Sequence, residues 1–340
     1  MPRLRRSRPG LAGIRRIRHG RGFRFVGPDG GPAAAEDVER ARALVIPPAW
    51  RDVWICPWPN GHIQATGVDD AGRMQYLYHE EWRRKQDRLK HEHVLEFAEN
   101  LPALREWAEK AMRGRGLTRE RVLAAAVRLL DLGLFRVGEV RYSRDHGTRG
   151  LATLTGENVS FRHGRAVFNY VAKGGIERTL EIADPQVVKV VKALRGHASS
   201  GRLLRYYEGG RWHEVTSGEI NALLKSLAGP ESTAKDFRTW HATVLAAVGL
   251  AVSSPVPPAS SARRRAVARA VAEAAEYLGN TPTVCRASYI DRRVIDRYLN
   301  GETIELPLAD LGRGTPAGNP ATHGPAEKAV LRMLREEGAE

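Results

Sequence analysis

Tyr289 stands in Pro282-Thr283-Val284-Cys285-Arg286-Ala287-Ser288-Tyr289-Ile290-Asp291-Arg292-Arg293, a phenol among guanidinium groups. Cations at that range favour the ionised phenol, and a phenolate is a competent nucleophile. The segment reads as one helix, with Thr281 as N-cap, Pro282 in the first turn and Gly301 just past the end. On such a helix Ala287, Ile290, Val294 and Tyr298 form an apolar stripe. Tyr289 falls off it, on the face of Cys285, Arg292, Arg293 and Asp296. An ordinary surface tyrosine would fit the same pattern, so its meaning depends on what else the chain supplies.

Three further settings suit phosphoryl chemistry. Arg136 ends an apolar helix in Gly133-Leu134-Phe135-Arg136-Val137-Gly138-Glu139. Lys173 sits at a Gly-Gly hairpin tip, which places an ammonium on a mobile arm. Lys235 and Arg238 are three apart on one helix and share a face, while Phe237, Trp240, Val244 and Val248 cover another. Each alone fits a solvated basic surface. With Tyr289 they supply a nucleophile, guanidiniums for a charged pentacoordinate phosphorus and an acid for a departing alkoxide.

The elements that must position these groups read as α+β. Residues 23–78 are strand-rich: Phe23 to Val26, a Pro28-Asp29-Gly30-Gly31 turn, a short helix from Asp37 to Leu44, then strands Val53 to Cys56, His62 to Gly67 and Arg73 to Tyr78. The polar run Arg83 to Arg88 marks the expected boundary. This gives a β-rich domain over 1–86, a helical catalytic domain over 87–311 and a Gly/Pro-rich tail with a short helix over 312–340. Helical periodicity covers Val94 to Lys110, Arg119 to Leu132, Ile220 to Leu227, Ala234 to Leu250, Arg263 to Leu278, Pro282 to Leu299 and Ala326 to Leu334. One hairpin interrupts it, Val167 to Val171 and Thr179 to Ile182 about Lys173-Gly174-Gly175. Ser253 to Ser261 reads as a flexible loop.

Lys and Arg number 54 against 39 Asp and Glu, a net charge of +15, which points to a polyanionic partner and to nucleic acid first. Cys56 and Cys285 are too few for a disulfide framework or a thiolate zinc site and suit a reducing compartment, so a cytoplasmic, nucleoid-associated location is expected. No apolar run approaches the roughly 20 residues of a membrane span. Eight arginines between Arg3 and Arg21 read as a flexible arm that tracks phosphates.

The segments Phe135-Arg136-Val137-Gly138, Lys173-Gly174-Gly175, Lys235-Asp236-Phe237-Arg238-Thr239-Trp240-His241-Ala242-Thr243 and Ala287-Ser288-Tyr289-Ile290-Asp291 occur in that order. They resemble the catalytic motifs of type IB DNA topoisomerases of the compact bacterial and poxvirus-like kind. Ile46-Pro47-Pro48-Ala49-Trp50 and Gly72-Arg73-Met74-Gln75-Tyr76-Leu77-Tyr78-His79 resemble that family's DNA-gripping β domain. The resemblance implies that Tyr289 attacks a backbone phosphate and becomes joined to the 3′ end. Arg136 and Arg238 would hold the non-bridging oxygens and Lys173 would protonate the 5′-oxygen. The free strand would rotate before religation, with neither ATP nor metal and no cofactor. The implied partner is duplex DNA, gripped by a monomeric clamp, with no membrane.

Many relatives carry a histidine some nine residues before the nucleophile. Here Asn280 stands there, able to donate a hydrogen bond but not to carry charge; it could instead cap the Tyr289 helix. Lys235 matches a position that contacts phosphate or minor groove. Gln75, Tyr76, Tyr78 and Tyr142 are implied DNA contacts, although on a strand Tyr76 and Tyr78 share one face and Gln75 takes the other. Two other functions stay open: a tyrosine recombinase, against which the β-rich front half and Lys235 speak, and a non-catalytic DNA-binding protein of this fold. Lys90-His91-Glu92-His93 reads as a solvated helix, Asp69-Asp70 as turn geometry, the Trp50, Trp54 and Trp58 set as core or domain interface, and Cys285 as packing.

Overall fold

The structure is a computed structural model describing residues 3–139, 147–198, 201–253, 261–307, 310–312, 315 and 318–336. Its contacts divide into two units, Met1–Lys90 and His91–Glu340.

The first unit is a five-stranded antiparallel sheet in the order β2-β1-β3-β4-β5, with β1 Ile14–His19, β2 Gly22–Val26, β3 Arg51–Ile55, β4 Ile63–Val68 and β5 Met74–Tyr78. Ile14, Val53, Ile55 and Ala65 point into one small core with Ile46 and with Ala41 of helix α1, Ala35–Ala43. Strand β1 lies where a flexible arm was expected. Its arginines hide the strand pattern because one of them works inside the fold: the Arg16 guanidinium donates to the carbonyls of Ile46, Pro47 and Trp50 at 2.9, 2.9 and 2.8 Å. Upstream, the chain from Arg3 is docked rather than loose. Arg5 pairs its backbone with Asn60 and His62 at 2.9 Å and lays its guanidinium 3.5 Å above the Trp58 ring. The buried Ser7 hydroxyl both donates to and accepts from Ile63 at 2.9 Å.

The unit boundary falls inside a helix, α2 (Glu80–Met112), so the polar run at 83–88 is helical surface and not a linker. In the second unit follow α3 (Arg119–Gly133), a three-stranded antiparallel sheet of β6 (Val159–Arg162), β7 (Arg165–Ala172) and β8 (Ile176–Ile182), then α4 (Pro185–Gly196). Beyond come the β9–β10 hairpin (Arg205–Glu208, Arg211–Glu214), α5 (Ser217–Ala228), α6 (Ala234–Val252) and α7 (Ser261–Leu278). The chain closes with α8 (Pro282–Ser288), α9 (Arg292–Asn300) and α10 (Pro325–Arg335). The sequence reading assigned no element to 185–196, where Asp184 caps α4 and Val187, Val188, Val190, Val191 and Leu194 are buried. The short helix expected from Ala326 to Leu334 within the Gly/Pro-rich tail is α10. Ala326, Ala329, Val330, Met333 and Leu334 of α10 belong to the core of the second unit, because that apolar stripe needs a partner face.

At the centre of this core, α3 is buried along nearly its whole length and α6 buries Phe237, Trp240, Val244 and Leu250. The architecture is therefore α+β: a small antiparallel sheet unit, then a mainly helical unit with short sheets. Among the described residues no helix is long and apolar enough to cross a membrane.

Candidate active site

Arg136 is aimed by the way α3 ends. Leu134 turns the chain in a left-handed conformation, φ 50°, while its N–H satisfies the Leu130 carbonyl. Phe135 is then buried edge-on to Phe168 at 5.2 Å and stacked on Tyr170 at 5.7 Å, so the next residue faces outward. The Arg136 carbonyl accepts from Leu151 N–H at 2.8 Å, and Gly138 passes so close to Gly150 that an added Cβ would lie 2.7 Å from the Gly150 Cα. That contact explains why a glycine follows Arg136-Val137. Lys173 is exposed at the β7–β8 tip, where Gly174 and Gly175 take φ of 85° and 74°.

Lys235 and Arg238 start α6, whose first turn is fixed by the Asp236 carboxylate accepting from Thr233 N–H at 2.7 Å. Lys235 is exposed, and Arg238 is 3% exposed. Arg238 donates to the carbonyls of Leu134 and, at 2.8 Å, Leu278, and its buried Nε has no partner among the described residues.

Tyr289 departs from the expected single helix. The segment breaks there into α8 and α9, with Tyr289 at φ −129° and ψ −27° between them. Both Tyr289 and Ile290 direct their N–H to the Cys285 carbonyl, and Asp291 restarts the helix by capping Arg293 N–H at 3.0 Å. Thr243 of α6 fastens the break: its hydroxyl lies 3.3 Å from the Tyr289 carbonyl and accepts from Asp291 N–H at 3.0 Å. Consequently Ile290, Val294 and Tyr298 are buried as read, but Cys285 joins them and Ala287 is exposed. Burial pushes the Cys285 thiol up to about 11, which keeps it unreactive.

These groups meet at one cavity of about 410 Å³, lined by Arg136, Lys173, Lys235, Arg238 and Tyr289 together with Val137, Gly138, Glu139, Thr148, Arg149, Gly150 and Ala234. Arg238 lies 5.2 Å from the centroid of the Tyr289 ring, and the Lys235 ammonium 5.6 Å. Burial alone would raise the phenol. The charge and hydrogen bond of Arg238, then Arg136 and Lys235, outweigh it, and the net effect holds Tyr289 below its ordinary value. Arg238 itself is pushed down to about 10, by burial first and then by its neighbour Arg136. Among the described residues neither Arg136 nor Arg238 pairs with a carboxylate. A cationic cavity with a softened phenol suits an anion and can stabilise negative charge that grows within it.

Asn280 borders the same group. Its Oδ1 accepts from Arg136, while its buried Nδ2 has no partner among the described residues. The capping role is taken by Thr281, which accepts from Val284 N–H at 3.3 Å, so the side-chain donor of Asn280 is left for something else. Sequence reasoning missed Arg149 and Thr148 in the lining. It quoted Thr243 inside a motif without seeing its role as a clasp.

Of the other positions, Tyr76 and Tyr78 stack on the exposed face of β5 at 6.0 Å, in the first unit. Gln75 points the other way and donates to Asp69 at 2.8 Å, so its amide is engaged within the protein. Asp69 also accepts from Ala71 and Arg73 N–H, as turn geometry requires. Tyr142 lies outside the described residues. The 90–93 stretch is no simple solvated surface: His91 is buried 3.6 Å from Asp291, Glu92 pairs with Arg293 and His93 with Asp236 at 3.2 Å. Asp131, His241 and His323 bring ligand atoms within 4.8 Å, as a metal site would. However, both Asp131 oxygens already accept from Arg105, and Arg128 and His241 add one bond each. Two guanidiniums against one carboxylate oppose a further cation there, so these residues form an ion-pair network.

Comparison with known families agrees with this geometry. The model of the eukaryotic DNA topoisomerase I catalytic core matches residues 79–300, and that of the bacterial DNA topoisomerase IB N-terminal domain matches residues 22–69. A DNA topoisomerase 1B of Acanthamoeba polyphaga mimivirus is 28% identical over 276 residues, covering 78% of this chain and 81% of the viral one. A DNA topoisomerase 1 of rabbit fibroma virus (strain Kasza) is 19% identical over 252 residues, 72% of this chain and 75% of its own. With a family match over most of the second unit and a second one in the first, the chain belongs to the type IB DNA topoisomerases, a family of enzymes.

Proposed function

We propose that this protein relaxes supercoiled duplex DNA by reversible transesterification at Tyr289. The observation that carries the reading is the convergence, on one cavity, of a phenol held below its usual pKa and two arginines that pair with no carboxylate among the described residues. The scissile phosphodiester is the anion that balances them. Arg136, Arg238 and the Asn280 amide donate to its non-bridging oxygens, and their fixed placement favours the pentacoordinate state in which charge on those oxygens is greatest.

The Tyr289 oxygen, its proton lost to solvent, bonds to phosphorus as the bond to the 5′-oxygen breaks. Lys173, on its hairpin tip, gives a proton to that leaving oxygen, so one proton is lost and one gained. The phosphotyrosyl ester at the 3′ end conserves the bond, the strand rotates, and the 5′-hydroxyl attacks in reverse. No nucleotide or metal is consumed in this sequence. Lys235 at the rim and Tyr76 and Tyr78 on the β5 face are assigned to DNA phosphates and grooves, and the protein acts as a monomeric clamp.

The deciding experiment is relaxation of supercoiled plasmid in EDTA without ATP, beside Tyr289→Phe and a denaturing trap for covalent DNA. Relaxation and a 3′-linked adduct with the natural chain, and neither with Tyr289→Phe, are expected. Activity of the Phe variant, a strict Mg²⁺ requirement or a 5′ linkage would overturn the reading.

A further inference from the structure

We propose that Arg178 is a positioning residue for this reaction, tying the hairpin that carries Lys173 to the turn that carries Asn280; the proposal rests on the catalytic reading above. Arg178 lies on β8, just past the Lys173-Gly174-Gly175 tip, opposite Tyr170 in the strand register. Its guanidinium donates to the carbonyls of Glu276 at 3.0 Å and Tyr277 at 2.8 Å. These belong to the last turn of α7, where the helix dipole favours a cation; the Glu276 carbonyl also accepts from Gly279 N–H at 3.0 Å.

The next two carbonyls are taken as well, Leu278 by Arg238 and Gly279 by Arg136 at 3.2 Å. Three arginines thus hold four consecutive carbonyls. Arg136 and Arg238 line the cavity and are assigned to phosphate, and Arg178 does not line it. It faces a separate groove between β8 and α7. When the cavity arginines turn to a phosphate, Arg178 is the one that keeps its hold on the turn.

Gly279 makes that hold close. At φ +61°, an added Cβ would stand 2.7 Å from Arg178 Nη1 and 3.0 Å from its Cδ. The following residue is Asn280, whose Nδ2 has no partner among the described residues, and Thr281 then opens the helix leading to Tyr289. A shift of the turn would therefore displace the Asn280 donor, the carbonyl seats of both cavity arginines and the start of α8 together. Misplacement by about 1 Å in such a set can cost about 10²-fold in rate.

The test is single-turnover formation of the covalent adduct by Arg178→Gln and Arg178→Lys, with duplex binding measured in a Tyr289→Phe background. Arg178→Gln is expected to slow cleavage by up to about 10²-fold with duplex affinity unchanged, and lysine to restore part of the rate. In the double variant with Asn280→Ala the combined loss should fall short of the product of the two single losses, since part of the Arg178→Gln loss acts through the Asn280 donor. Amide exchange over 277–281 should quicken in Arg178→Gln while the α7 core stays protected. Wild-type cleavage in Arg178→Gln, multiplying losses, or unchanged exchange over 277–281 would each overturn the proposal. A natural chain that forms no covalent adduct would instead defeat the catalytic reading.

Discussion

Arg105 and Arg128 meet carboxylates on one side of helix α6; Arg238, on that helix, and Arg136 beside it meet carbonyl and amide oxygens and the Tyr289 phenol, and no carboxylate among the described residues. In the first region Asp131 accepts from Arg105 at 2.9 Å and Arg128 at 2.6 Å, Glu327 accepts from Arg105 at 2.6 Å and from the Trp240 indole at 3.0 Å, and His241 bonds Asp131 at 2.9 Å. Although burial pushes the other way, these carboxylates raise Arg105, and Asp131 is held well below the usual carboxylate range. In the second region burial and the neighbouring Arg136 push Arg238 down to about 10, with only the Tyr289 phenol opposing. Both sets of cations are taken out of water. One is balanced by the chain itself and ties α2, α3, α6 and α10 together. The other meets no carboxylate among the described residues, and in the function proposed above the substrate phosphate takes that place.

The largest effect should come from unbalancing the first region. Arg105→Met leaves Asp131 and Glu327 with less compensation and is expected to destabilise the fold by about 3–5 kcal/mol in chemical unfolding, while the folded fraction still cleaves DNA. A variant of normal stability with lost cleavage would reverse the roles assigned to the two regions.

A smaller, pH-dependent effect belongs to His323, which burial, despite Asp131, pushes down to about 3. Its folded value lies below its unfolded one, so the unfolded chain takes up a proton first as pH falls. The neutral ring's contribution is complete above about 6.5 and is lost progressively toward 3, at up to about 1.4 kcal/mol per pH unit. Unfolding free energy measured from pH 7 to 4 should fall in the natural chain and fall less steeply in His323→Leu. Equal slopes would remove His323 from the network.

The two regions also differed in how far the sequence revealed them. Arg136, Lys173, Lys235, Arg238 and Tyr289 sit in short motifs whose local chemistry is readable without a partner. The network is not, because Arg105 and Glu327 lie 222 residues apart and neither stands in a suggestive local pattern. The long apolar helices, such as α3 and α6, were legible. The break at Tyr289 was not, since the apolar spacing runs on through Ile290, Val294 and Tyr298 and only the Thr243 clasp, from another element, interrupts it. Strand β1 was masked by arginines, one of which is spent on backbone carbonyls; α4 was overlooked although Val187, Val190, Val191 and Leu194 keep the i, i+3, i+4, i+7 spacing of a helix capped by Asp184.

The most direct measurement of the central claim, that the Arg238 charge serves a phosphate and not the fold, is Arg238→Gln followed by thermal melting and single-turnover cleavage on one duplex. The account predicts a melting temperature no lower than that of the natural chain, because an uncompensated buried charge has been removed, and a cleavage rate down by about 10²–10³. A variant that melts several degrees lower, yet cleaves at the natural rate once folded, would contradict it.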